Sequence, residues 1–291
     1  MTETISIFRR TALRWVISGI AAAAAPGQKL YAASATGSSP SRLSVRAAGS
    51  TSKSGDDLLL IPGLASGPAV WSRLAAQVPG HRLHFVHVAG FAGKAAGPNA
   101  KGPLLDPLVD ELTRYIRANG LRAPALIGHS MGGTLAMKLA LRRDIRIGRL
   151  MVVDMLPEGS AMLGGTAQGM GYLAQQLNGY FTGTKAGRQL LADMVMQNPA
   201  ARDSDPMVIA QALTELAQTD LSSGLAGITC PLSVVYALSG DAAMQAAQAR
   251  RYRTAYATAR QPTFTGIGPS GHLVMLDQPT KFAAAVARFL R

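Results

Sequence analysis

The stretch at residues 124–133, PALIGHSMGG, limits what this chain can fold into more than any other. Its first four residues form a short apolar run that fits a buried strand. The Gly-His-Ser-Met-Gly that follows fits a sharp strand-to-helix turn with Ser130 exposed at its tip. Glycines two before and two after the serine are required because such a turn brings its two arms so close that a Cβ would clash. Residues 131–141 read as a helix, and its first turn aims unpaired N–H groups at whatever stands in front of Ser130, which suits a developing oxyanion.

The segments around this turn alternate between strand and helix. Residues 57–61 (DLLLI), 83–88, 149–154 (RLMVVD), 232–237 and 262–267 read as short buried strands. Helical patterns at 69–77, 106–120, 241–257 and 281–290 separate them, with Asp106-Pro107 as a helix start and Gly120 as its stop. Repeated β, α, β order predicts an α/β fold with a mainly parallel central sheet and helices on both faces. Residues 55–154 and 228–291 form that core. Between them, 155–227 has no convincing strand and is rich in Gly, Gln, Met and Ala, with helical stretches near 172–177, 186–197 and 207–218. An insertion after a strand's carboxyl end is expected to stand over the site as a lid, its methionines offering an apolar surface. Residues 36–54 read as a flexible leader with one weak strand near 43–47.

Two loops join Ser130 in chemistry. The first strand ends in PGLASGP, a glycine-bearing loop that can turn a backbone N–H toward a ligand, with Leu64 the candidate donor. The last strand is followed by Gly-Pro-Ser-Gly-His, and from such a loop the imidazole of His272 can reach a serine at the sheet's carboxyl edge. His81, His84 and His87 suggest a metal, but three-residue spacing alternates faces on a strand, so the imidazoles cannot converge on one ion.

Composition limits the rest. With 48% hydrophobic residues in 291, the chain can bury a large core. The net charge of +13 comes from scattered arginines with no nucleic-acid module around them, so solvated surface explains it and no nucleic-acid partner is expected. Arg9, Arg10 and Arg14 precede an apolar, alanine-rich run too short to span a bilayer, followed by Ala33-Ser34-Ala35. Residues 1–35 therefore read as an export signal, imperfectly of the twin-arginine type, and predict a periplasmic or extracellular protein. Cys230, the single cysteine, permits no internal disulfide and sits at a strand entrance as a small hydrophobe.

Taken together, LLLIPGL, IGHSMGG, RLMVVD, ITCPLSVVY and SGHLVMLDQP resemble the α/β-hydrolase superfamily over residues 57–290. The resemblance implies Ser130 as nucleophile, His272 as base and the amides of Leu64 and Met131 as the oxyanion hole. Serine rather than aspartate at the turn disfavours dehalogenase and epoxide-hydrolase chemistry. It implies a carboxylic ester hydrolase acting on a small or lipid-like ester without cofactor or metal, with acyl transfer, amide cleavage and carbon–carbon bond hydrolysis as neighbouring reactions. A slow-turnover ligand receptor and a structural module are the rival readings, and the intact Ser130 and His272 speak against the second. Two departures stand out: Pro62, where many relatives carry histidine, and the 237–241 loop (ALSGD), whose spacing is altered by about a residue. The superfamily allows the triad acid after either of two strands. Asp241, where most relatives carry it, is preferred, and Asp154, where a minority do, is the alternative; Asp220 and Asp277 read as structural.

Overall fold

The computed structural model describes residues 41–49, 57–162 and 203–291. A seven-stranded sheet runs through it in the order β1-β3-β2-β4-β5-β6-β7. The strands are β1 (Leu43–Gly49), β2 (Asp57–Ile61), β3 (Arg82–Val88), β4 (Ala125–His129), β5 (Arg149–Val153), β6 (Leu232–Ala237) and β7 (Thr263–Ile267). β1 pairs antiparallel with β3, and every other pairing is parallel. The central strands read as unbroken apolar runs because both faces are covered. Along β2, Leu59 and Ile61 enter one core layer while Leu58 and Leu60 enter the other, and β4 divides Leu126 from Ile127 in the same way.

The first layer is closed by α2 (Leu105–Ala118), α3 (Met131–Ala140) and α6 (Ala242–Ala255) through Leu108, Leu112, Leu135 and Tyr252. The second is closed by the short α1 (Ser72–Ala75), the 3₁₀ turn before it (Pro68–Trp71), α7 (Val274–Asp277) and α8 (Pro279–Phe289), with Trp71 packed on Phe282. The weak strand expected near 43–47 is present and longer, a seven-residue edge strand at Leu43–Gly49. Its register is held at the start, where Glu111 on α2 accepts from the Arg42 amide at 3.1 Å and Arg42 Nη1 donates to Asn99.

Of the 155–227 insertion, the described parts are α4 (Gly159–Met162), α5 (Pro206–Gln218) and a 3₁₀ turn at Ser222–Gly227. The expected helices at 172–177 and 186–197, and the export segment 1–35, lie outside the described residues. Asp205 caps α5 by accepting from the amides of Met207 and Val208, which ends the chain's approach to the helix. The same segment clasps the core at the carboxyl edge of the sheet. Ser204 Oγ accepts from the Ala92 amide and donates toward the Ala65 carbonyl. Glu215 accepts from the amides of Leu104 and Leu105 at 2.7 and 2.8 Å, satisfying the N-terminus of α2 that Asp106 was expected to cap. Among the described residues no helix is long and apolar enough to cross a membrane.

Candidate active site

Ser130 sits between β4 and α3 with φ +51°, a left-handed conformation that an L-residue adopts only at a cost of roughly 1–3 kcal/mol. Its own amide donates to Val153 at the end of β5, and its carbonyl accepts from Gly133, so the strained turn is bonded on both sides. A Cβ on Gly128 would stand 2.2 Å from the Gly132 carbonyl, and one on Gly132 would stand 2.2 Å from the carbonyl of Ile61. Both positions of the motif therefore exclude any side chain, for the reason the sequence suggested. Five described residues other than glycine have positive φ, and four of them, Ala65, Ala92, Ser130 and Asp154, lie just beyond strand carboxyl ends. Strain thus concentrates along one edge of the sheet.

The loop after β2 lies against this turn. A Cβ on Gly63 would meet Ser130 Cβ at 3.1 Å and His129 Nδ1 at 2.7 Å. Leu64, the next residue, starts a tight turn in which the Ser66 amide donates to Gly63 O. Met131, the first residue of α3, is fully buried, and its amide has no carbonyl one turn earlier to bond. Of the two positions named as oxyanion donors, Met131 thus follows Ser130 directly and Leu64 follows the glycine that packs on it. Pro62 does not disturb this, because its carbonyl packs against Gly132 as part of the same contact.

His272 reaches the site from the loop after β7. His129 Nε2 donates to the His272 carbonyl at 2.9 Å, and the two rings lie 4.6 Å apart. This joins the residue preceding Ser130 to the His272 loop. Burial, then the neighbouring His272, pushes the pKa of His129 down to about 3, so it stays neutral and keeps donating from Nε2. Asp277 fixes the other side of the loop by accepting from the Gly271 amide at 2.8 Å and from Ser270 Oγ, the structural part expected of it.

The carboxylate that meets His272 is Asp154, with Oδ2 2.7 Å from Nδ1. A carboxylate only accepts, so Nδ1 carries the proton, and in the neutral tautomer Nε2 is the ring nitrogen that can accept. Asp154 lies one residue past β5, and its amide donates to Val235 O. Its Oδ1 accepts from the Ala237 amide at 3.0 Å and from the Tyr252 hydroxyl at 2.8 Å. Burial opposes its charge, but bonds from His272, Ala237 and Tyr252 outweigh that and hold its pKa below the ordinary carboxylate value.

Asp241, the preferred acid in the sequence, is corrected by this geometry. It is exposed, and its side chain accepts from the Met244 amide at 2.8 Å as the N-cap of α6. The altered spacing of the 237–241 loop fits this, since Asp241 there starts a helix and does not meet His272. Asp220 accepts from the Ser222 amide within its own turn. The β3 histidines go separate ways. His84 is buried between Asp57 and the Tyr115 hydroxyl, and His87 bonds Phe91 O. A separate depression of about 760 Å³, lined by Arg142, Arg143, Arg146, Cys230 and Arg260, opens where β5 and β6 begin, at the opposite edge of the sheet.

This fold, with a strained serine after the central strand and an aspartate-held histidine after the last, is that of the alpha/beta hydrolase family, whose profile matches residues 58–285. The chain belongs to that family. It is 27% identical over 204 residues to the pimeloyl-[acyl-carrier protein] methyl ester esterase of Aliivibrio salmonicida, covering 64% of this chain and 75% of that protein. It is 25% identical over 258 residues to the protein of the same name from Vibrio vulnificus, covering 82% and 96%. Among solved structures, a hydrolase from Pseudomonas aeruginosa superposes with a TM-score of 0.66 at 20% identity over 85% of this chain and 94% of that one. The enol-lactonase of Burkholderia xenovorans superposes at 0.61 with 19% identity, over 85% and 96%.

Proposed function

We propose that this chain is a serine carboxylic ester hydrolase. Ser130 Oγ attacks the acyl carbonyl while His272 Nε2 takes its proton, and Asp154 stabilises the imidazolium that results. The oxyanion develops before the amides of Leu64 and Met131. His272 then returns its proton to the departing alkoxide, and a water activated by the same nitrogen hydrolyses the acyl-enzyme, returning Ser130 to its starting state.

The observation that carries this reading is the 2.7 Å bond between His272 Nδ1 and Asp154 Oδ2, which makes Nε2 the accepting nitrogen of the neutral ring, on a loop held to the residue before Ser130. The relatives named as methyl ester esterases support an ester of a small alcohol as the substrate class. We further propose that the 155–227 insertion forms the lid and that residues 1–35 direct export, on the sequence features given above. The test is turnover of p-nitrophenyl esters of increasing acyl length by the purified protein. Many turnovers per Ser130 support a hydrolase, whereas a single slow acylation points to a receptor. N-terminal sequencing of exported material should begin near Thr36.

A further inference from the structure

Asp154 Oδ1 carries a donor that the reaction itself does not use. Tyr252 lies on the third turn of α6, 98 residues from Asp154 in sequence, and its hydroxyl stands 2.8 Å from Oδ1. The ring is 6% exposed and stacks on Tyr236 of β6 with centroids 4.6 Å apart and planes 16° apart, so it has little freedom to turn away. Burial first, and then the facing Asp154 charge, lift the phenol's pKa well above its ordinary value, so at neutral pH the hydroxyl keeps its proton and donates.

The carboxylate needs such a donor. Its residue has φ +48° beyond a strand end, and the short side chain is fixed at the backbone only through its own amide and the one bond from Ala237. With Ala237 alone on Oδ1, the carboxylate can rock about that bond and carry Oδ2 off the His272 Nδ1 axis. Two donors arriving from different elements, β6 and α6, remove that freedom. They also draw charge toward Oδ1, which weakens the hold of Oδ2 on the imidazolium proton. The ionisable groups near this carboxylate are His272 and His129 beside it and Tyr256 just past the end of α6, with Arg251 acting on Tyr252 from the outer side of that helix.

We propose that Tyr252 is a positioning residue of the active site: it aims Asp154 at His272 and sets how readily the imidazole releases its proton. The proposal rests on the reading of His272 and Asp154 as the acid–base couple. It also explains the placement of the acid. The helix that begins where most relatives carry the aspartate here supplies the tyrosine that holds the aspartate of the neighbouring strand.

The test compares Tyr252→Phe with Tyr115→Phe, a control that loses a part-buried hydroxyl bond to His84 of β3. Tyr252→Phe is expected to lower kcat about tenfold with KM nearly unchanged. The acidic limb of its kcat/KM profile should move to higher pH, because a carboxylate with one donor fewer holds the imidazolium proton more strongly. Tyr115→Phe should move neither. A substrate-independent readout is the downfield proton resonance of His272 Nδ1–H, identified by its loss in His272→Ala. It should shift in Tyr252→Phe and stay in place in Tyr115→Phe. If the phenylalanine variant does not fold, Tyr252→3-fluorotyrosine, whose hydroxyl is a stronger donor, should move that resonance and the acidic limb in the opposite sense. An unchanged resonance and limb overturn the role of Tyr252 and leave ester hydrolysis standing. Absence of any Ser130-dependent turnover overturns ester hydrolysis, while the resonance still decides the tyrosine's contact.

Discussion

Asp154→Asn should nearly abolish turnover, and the surroundings of the side chain say why. An asparagine of the same shape must place one oxygen and one NH2 where Oδ1 and Oδ2 now stand. The Oδ1 position faces the Ala237 amide at 3.0 Å, and a backbone N–H can only donate, so the amide oxygen is drawn there. The NH2 is then left 2.7 Å from His272 Nδ1. Two donors cannot face each other, so the imidazole shifts its proton to Nε2, the nitrogen that has to accept from Ser130. The corresponding substitution in a serine protease, which keeps the geometry but leaves the wrong tautomer, lowers kcat about 10⁴-fold. That factor corresponds to roughly 5.5 kcal/mol of transition-state stabilisation. Asp241→Asn should change kcat/KM by less than about twofold, because asparagine caps a helix as well as aspartate does. The assay is kcat/KM on a short p-nitrophenyl ester at pH 7.5, with thermal melts to show both variants folded. If Asp154→Asn kept a tenth of the activity, or if Asp241→Asn were the crippled variant, the tautomer argument would be refuted.

Other substitutions test the scaffold. Gly132→Ala drives a Cβ to within 2.2 Å of the Ile61 carbonyl and should destabilise the fold by at least about 2 kcal/mol in urea titration, removing activity with it. Glu215→Ala frees the amides of Leu104 and Leu105 and should cost about 1–2 kcal/mol in the same measurement while leaving kcat of the folded fraction unchanged. Stability should fall as pH drops from about 6.5 toward about 3, because the unfolded chain then binds a proton that buried, neutral His129 does not. The slope contributed by His129 is about 1.4 kcal/mol per pH unit, and His129→Gln should remove it from denaturation midpoints measured between pH 4 and 6.

The serine turn was legible because everything it needs is contiguous. Two glycines that cannot carry a Cβ, an apolar strand before the serine and a helix after it follow one another without a break over residues 125–140. His272 was legible for a similar reason, as a histidine on the loop that ends the last strand. The carboxylate that meets His272 was harder to find because its selection is a matter of tertiary reach. Both Asp154 and Asp241 follow strands, and only the fold decides which of them meets Nδ1. One local signal did separate them. Asp241 precedes the alanine-rich run AAMQAAQA, which marks it as an N-cap. Tyr252 had no local signal at all, since it reads as one apolar position of a helix and gains its role only when that helix docks against the carboxyl end of β5. The full length of the edge strand at Leu43–Gly49 was underestimated because its outer residues are largely exposed, and the bonds that hold its start come from Asn99 and Glu111, more than 50 residues away.

The most direct measurement of the central claim is to trap the covalent intermediate. The protein is mixed with a slowly deacylating aryl ester, quenched in acid, digested and read by mass spectrometry. One acyl group per chain should be found on the peptide containing Ser130, missing in Ser130→Ala and formed at least about 10³-fold more slowly in His272→Ala. Acyl groups on any other residue, or an equal yield in Ser130→Ala, would contradict the account.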